Sequence, residues 1–567
     1  MSTDTETMQA AAADAVTAPL DLLLTDAALG ALRRVNPGGS GLRLAAALAA
    51  RPWLVARQGR QLTAEMTRIA VGRSELRASQ RDRRFADPSW DGNPLLRRVL
   101  QSYLATTQAA EGLVAGADLN WADSERVGFA LTNLVDALAP SNNPVLNPAA
   151  LKAVIDTGGG SALTGLRQFI TDMAAPPRVP SMVEPDAFEV GVDLAVTPGA
   201  VVLRTPVFEL IQYRPATSTV RQVPLLIVPP TINKFYVIDL APGRSLAEYL
   251  VGRGQQVFMI SWRNPDARHA AWDFSTYGES ILDAMDAASR ITRSERTALM
   301  GVCSGGILAA MVAAHLAHTG RQDQIAALTL MVTVLDEARA GLASAVIDER
   351  SARLAAAASE ARGYLDGRSL AEVFAWLRPN DLIWNYWVNN YLLGRKPPPF
   401  DILFWNGDTT RMTAALHRDF LQLGVTNGLV HPGGVTMLGS PVDLSLVDRD
   451  SYLVAGITDH ICPWESCYRS TQLLGGSKRF VLSTSGHIAA MVNPPGNEKA
   501  RYQVAKDCPE DSREWLRRAE SCRGSWWPDY TGWLAERSGE EVAAPDELGG
   551  GRLAPLADAP GTYVYDR

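Results

Sequence analysis

Apolar residues in the first third of the chain return at helical spacing. Leu95, Val99, Leu100, Tyr103 and Leu104 mark one such stripe, and Pro or Gly falls where the runs break between Leu42 and about Ala174. The spacing predicts a mostly helical domain over 41–177, its stripes reading as core in preference to a membrane surface. After Pro176-Pro177 short β-rich runs take over, at 200–204, 208–213, 225–228, 257–261, 297–300, 327–332, 452–455 and 479–482. Several are continuously apolar, as expected of strands covered on both faces, and helical stretches at 280–291 and 306–318 separate them. This alternation predicts a doubly wound parallel sheet within an α/β domain over 178–567. Between 335 and 438 it breaks into Ala-rich helix and then a Trp-, Asn- and Pro-rich stretch, too long for an ordinary connection, which reads as an inserted cap. Residues 1–40 are polar, Ala-rich and Gly-punctuated, and are expected to be flexible.

At 567 residues the chain is long enough for two or three domains. Its 61 acidic residues outnumber 54 basic ones and both are spread along the sequence, so no basic stripe exists to neutralise a nucleic-acid backbone. Five cysteines are few for this length and odd in number, which fits a reducing cytoplasm better than an oxidised secreted scaffold. The start is acidic, without the basic region of a secretory signal, and the apolar run 42–50 falls short of the roughly 20 residues that span a bilayer. A soluble or peripheral protein is expected. No Walker-type or dinucleotide-binding glycine motif stands in a strand-to-helix setting, and neither a cofactor nor a metal is called for.

The chemistry centres on Gly301-Val302-Cys303-Ser304-Gly305-Gly306, between a strand-like and a helix-like run. A nucleophile elbow needs small neighbours because its turn is strained and its backbone packs closely; here Cys stands in the usual place of Ser. The following helix would help stabilise a thiolate at Cys303. In the order nucleophile, acid, base, Asp459 follows the 452–455 strand and His487 follows the 479–482 strand, with His460 a second-ranked base or a brace for its loop. All three loops lie at strand C-terminal ends, where open α/β sheets bind ligands. The backbone N–H of Ser304 is the expected oxyanion donor, with a second from the Pro230-Thr231-Ile232 loop, at Ile232. A thiolate exchanges one thioester for another at little thermodynamic cost, so acyl transfer from CoA suits Cys303; a cysteine thioesterase would use the same triad, and a non-catalytic granule-coating protein would explain the helical half but not the triad.

With these residues placed, the chain from about Asp82 to the C-terminus resembles the polyhydroxyalkanoate synthases. The likeness rests on the elbow, on Asp459-His460, and on Gly486-His487-Ile488 followed by Asn493-Pro494-Pro495. It continues through Arg84-Phe85-Ala86-Asp87-Pro88, the 229–236 segment, Ser261-Trp262-Arg263-Asn264-Pro265 and the 378–387 segment. The 465–470 segment and the ending 559–564 are similar to the medium-chain branch, whereas the Ala-rich start and Thr458-Asp459-His460-Ile461-Cys462 depart from it. The resemblance implies an α/β-hydrolase fold and an acyltransferase that polymerises (R)-3-hydroxyacyl-CoA with release of CoA. Cys303 would carry the chain, His487 would take the thiol proton, and Asp459 would orient His487 or help activate the incoming hydroxyl. Asn233, His460, Trp384 and Tyr386 are the expected substrate contacts, the last two in an aromatic stretch that would line an acyl channel. A homodimer at the surface of cytoplasmic polyester granules is the implied setting.

Overall fold

The computed structural model describes residues 24, 27, 28, 38–80, 82–337 and 349–567. Most of the segment expected to be flexible, 1–40, lies outside them. The backbone divides into two compact units, one of residues 1–28, 185–367 and 400–567, the other of 29–184 and 368–399.

Among the described residues, the larger unit is built on one mixed sheet of eleven strands. Six neighbouring strands are parallel, in the spatial order Lys478–Ser483, Ser451–Gly456, Ile325–Met331, Thr297–Val302, Leu225–Val228, Val257–Trp262. Every residue of Thr297–Val302 and Ser451–Gly456 is buried, as continuous apolar runs require when helices cover both faces. Beyond the parallel block, antiparallel strands extend both edges: Phe208–Tyr213, Gly199–Arg204 and Ala557–Asp558 on one side, Arg501–Val504 and Glu520–Arg523 on the other. The sheet is therefore mixed and not wholly parallel as the alternation suggested. The polar, short strands at its margins lack the apolar pattern that marks central ones, which is typical of edges.

Helices begin where local chemistry satisfies their first N–H groups. Asp273 caps Phe274–Thr292 by accepting from Thr276 N at 3.0 Å, and Thr276 returns a bond to the cap. Ser304–His318 is buried almost all round, residues 304 to 316 without exception, which explains its lack of an amphipathic face. With the matching of Val228 opposite Gly301 and Gly301 opposite Leu330, the elbow emerges at the C-terminal edge of the parallel block.

The smaller unit is helical, with Pro52–Ala70 packed along Pro94–Gly116 and further helices at Trp121–Ala137, Pro148–Asp156 and Gly160–Ala174. Of the stripe expected from Leu95, Leu100 is buried and Tyr103 and Leu104 pack against the same core, whereas Leu95 is exposed and Leu96 is buried in its stead. Phe85 meets Trp90 edge-on at 5.3 Å and joins Leu96, Leu100 and Ala139 in a core. Next to it, Arg84 bonds Asp82, Asp136 and Asn380, so the Arg84-Phe85 pair serves as an apolar anchor beside an ionic one. Residues 368–399, read in the sequence as part of the cap, pack in this unit. There Trp376, Trp384 and Trp387 meet edge-on around two short π-helical turns, Asn380–Trp384 and Trp387–Leu392.

Candidate active site

Cys303 stands between the Thr297–Val302 strand and the Ser304–His318 helix with φ 52° and ψ −121°, a strained conformation for a side chain other than glycine. Its neighbours permit the turn. A Cβ on Gly305 would lie 2.4 Å from the Pro229 carbonyl oxygen, and one on Gly306 would lie 2.0 Å from Thr333 Oγ1. Only glycine allows the elbow to approach both walls so closely. Cys303 N–H donates to the Met331 carbonyl at 2.9 Å, tying the nucleophile to the adjacent strand.

Asp459 and His487 arrive from the ends of two neighbouring strands, on loops that bond each other. Ile457 N–H donates to Ser483 and Thr458 N–H to Ser485, and a Cβ on Gly456 would lie 2.4 Å from the Ser485 carbonyl. His487 Nδ1 and Asp459 Oδ2 are 2.7 Å apart, with the carboxylate fully buried. The other carboxylate oxygen accepts from Ile461 N–H at 2.8 Å and Cys462 N–H at 2.9 Å. The short helix His487–Met491 is held from behind by the Trp526 and Trp527 indoles, which donate to the Ala490 and Met491 carbonyls.

The structure brings Cys303 and His487 together, and Cys462 with them: one donor atom from each of the three lies within 4.8 Å of the others. Contact with Cys462 and burial push the Cys303 thiol well above the ordinary range, and His487 partly opposes them. Burial lowers the proton affinity of His487, but the Asp459 carboxylate more than restores it, so the imidazole is a stronger base than a free histidine. The Asp459 carboxylate thus favours the protonated form of His487, and the imidazolium in turn favours the Cys303 thiolate beside it.

Ser304 opens its helix, and its N–H has no intrahelical acceptor. Its hydroxyl accepts from Thr231 N–H at 3.0 Å and holds the facing loop. In that loop Ile232 is buried and its carbonyl accepts from Thr410, while Asn233 is buried and bridges to Thr409. The Trp262 indole donates to the Pro229 carbonyl at the loop's start. His460, half-buried, sits beside Asp459, whose imidazole partner is His487. Trp384 and Tyr386 belong to the helical unit, where Tyr386 is buried and Trp384 helps line a cavity of about 660 Å³ with Arg84, Trp90 and Asn142. Sequence reasoning passed over Cys462; the only signal for it was its place three residues after Asp459, within reach of the carboxylate that caps the turn.

Two family models match the chain: residues 81–250 match the N-terminus of poly-beta-hydroxybutyrate polymerase (PhaC), and residues 224–494 match the alpha/beta hydrolase fold. Poly(3-hydroxyalkanoate) polymerase 1 of Ectopseudomonas oleovorans is 46% identical over 503 residues, covering 89% of this chain and 90% of its own. Poly(3-hydroxyalkanoate) polymerase 2 of the same organism is 45% identical over 506 residues, with the same shares covered. The poly(3-hydroxyalkanoate) polymerase subunit PhaC of Cupriavidus necator is 39% identical over 503 residues, 88% of this chain and 85% of its own.

Proposed function

This chain belongs to the poly(3-hydroxyalkanoate) polymerase family, and from that premise we propose that it polymerises 3-hydroxyacyl units from their CoA thioesters on Cys303, with His487 as base and Asp459 as its support. The observation that carries the reading is the buried Asp459–His487 hydrogen bond beside a cysteine at a strand-to-helix elbow.

In acylation the Cys303 thiol proton passes to His487 and the sulfur attacks the thioester carbonyl. The resulting oxyanion is met by the Ser304 N–H, with the Ile232 backbone on the opposite wall as the second donor. Collapse breaks the bond to CoA sulfur, which leaves with the proton from His487. The acyl group stays activated as a thioester. The 3-hydroxyl of the next CoA-bound unit then loses its proton to His487 and attacks the Cys303 thioester; collapse breaks the Cys303–acyl bond, the thiolate recovers the proton from His487, and the extended CoA thioester acylates Cys303 again with loss of its CoA. Asn233 and His460 are proposed to contact the substrate near the elbow.

The test supplies pure protein separately with 3-hydroxybutyryl-CoA and a medium-chain 3-hydroxyacyl-CoA, measuring thiol release and polymer mass. Thiol release with polymer from at least one substrate, lost in Cys303→Ala, is expected. Free hydroxy acid in place of polymer would make the chain a thioesterase, and no thiol release at all would leave a coating protein. Residence at polyester granules is supported by Leu163, Leu166 and Ile170, which lie exposed at i, i+3 and i+7 on one helix. Leu166→Glu with Ile170→Glu should weaken co-sedimentation with granules; unchanged co-sedimentation would remove that face from the reading.

A further inference from the structure

Cys462 has no part in acyl transfer as derived above, yet its sulfur lies with Cys303 Sγ and a ring nitrogen of His487 in a cluster whose members are all within 4.8 Å of one another. All three residues are buried. The turn that carries Cys462 is fixed by its own N–H, which donates to Asp459 Oδ1 at 2.9 Å, and by Cys467, whose thiol donates to the Cys462 carbonyl at 3.6 Å. The carboxylate that grips His487 Nδ1 thus also sets the backbone behind the second sulfur. With Nδ1 turned to Asp459, Nε2 is the nitrogen left to donate to a ligand.

We propose that Cys303, Cys462 and His487 form a three-donor site for a thiophilic divalent cation of the Zn²⁺ class, whose binding holds the protein in a reversible inactive state. Two thiolates and an imidazole are the donor set that such a cation prefers over Mg²⁺ or Ca²⁺. Zinc–sulfur bonds of about 2.3 Å and zinc–nitrogen bonds of about 2.0–2.1 Å put donors roughly 3.5–3.8 Å apart around a tetrahedral centre. The cluster needs to contract by only about an ångström to reach that geometry. As each sulfur–metal bond forms, its thiol proton leaves to solvent, and the imidazole binds as the neutral ring. Asp459 is the outer partner that a metal-bound histidine commonly has, orienting the ring and raising its donor strength. A fourth position stays open for water or a small thiol. A valine at 462 would fill the same space without supplying the donor. The cation would cover nucleophile and base together, so acyl-CoA and metal would exclude each other; this consequence rests on the acyl-transfer reading, whereas the binding does not.

The test titrates full-length, metal-free protein with Co²⁺ in reducing, chelator-free buffer and follows thiolate-to-cobalt charge-transfer and tetrahedral ligand-field absorption. One equivalent per chain, displaced by Zn²⁺, is expected. Asp459→Asn should weaken binding by about 10- to 100-fold through the outer partner. Cys462→Val, which removes a direct donor, should weaken it by more and lower the charge-transfer intensity. Cys462→Ser replaces the sulfur with a poor ligand at almost the same size and decides the matter if the valine variant does not fold. Absence of charge-transfer absorption in the unaltered chain, or its full retention with unchanged affinity in the Cys462 variants, overturns the proposal. These readouts involve no turnover, so a chain that binds Co²⁺ through Cys462 yet makes no polymer refutes only the acyl-transfer reading.

Discussion

Asp459 does three things with one carboxylate: Oδ1 accepts two backbone N–H groups of its own turn, and Oδ2 meets His487 Nδ1. Asparagine can keep the first two bonds through its carbonyl, but it must then present an N–H to Nδ1. The imidazole would carry its proton on Nε2, facing the thiol it should deprotonate, which is the wrong tautomer for a base. Asp459→Asn should therefore leave the turn folded while slowing single-turnover CoA release by about 10²–10⁴-fold. Elongation should fall furthest, because a hydroxyl is a much weaker acid than a thiol. Thiol release and polymer mass measured on the same samples check this. Acylation at the unaltered rate would restrict Asp459 to activation of the hydroxyl.

The strand–elbow–helix element works through what its glycines leave out. A methyl at Gly305 would press on the Pro229 carbonyl, 2.4 Å away, and on that of Val228 at 2.5 Å, both backbone atoms that no rotamer change can clear. The loop displaced would be the one that faces Ser304 across the oxyanion position. Gly305→Ala should cost about 1–3 kcal/mol, the usual range for forced overpacking, and should lower kcat for CoA release with little change in KM. Denaturant midpoints and initial rates give both numbers. Wild-type turnover in a destabilised variant would show that the loop's position is not part of catalysis.

Across the larger unit, His417 is a fully buried tie between segments far apart in sequence: Nδ1 meets Ser359 Oγ at 2.8 Å and Nε2 meets the Leu24 carbonyl at 3.2 Å. Burial, only partly offset by the Leu24 carbonyl, lowers its pKa to about 4 from an ordinary 6.5. The unfolded chain therefore binds a proton more readily than the folded one. Stability is complete above pH 6.5 and is lost as pH falls toward about 4, by about 2 kcal/mol at pH 5 for such a shift. The difference in unfolding free energy between pH 8 and pH 5, read from denaturant curves, should shrink in His417→Gln by that amount. An unchanged difference would mean that other groups set the acid limit.

The strand runs, the helical stretches and the place of Cys303 between them were legible in the sequence, because period, breaker residues and small elbow neighbours are local properties. The three loops bearing Cys303, Asp459 and His487 followed from the rule that parallel strands present their C-terminal ends at one edge. Only the tertiary structure put Cys462 beside Cys303, set Pro229 against Gly305 and assigned residues 368–399 to the helical unit. Those relations join residues distant along the chain. No periodicity encodes them; they are decided by which buried surfaces and hydrogen-bond partners fit once the strands have stacked.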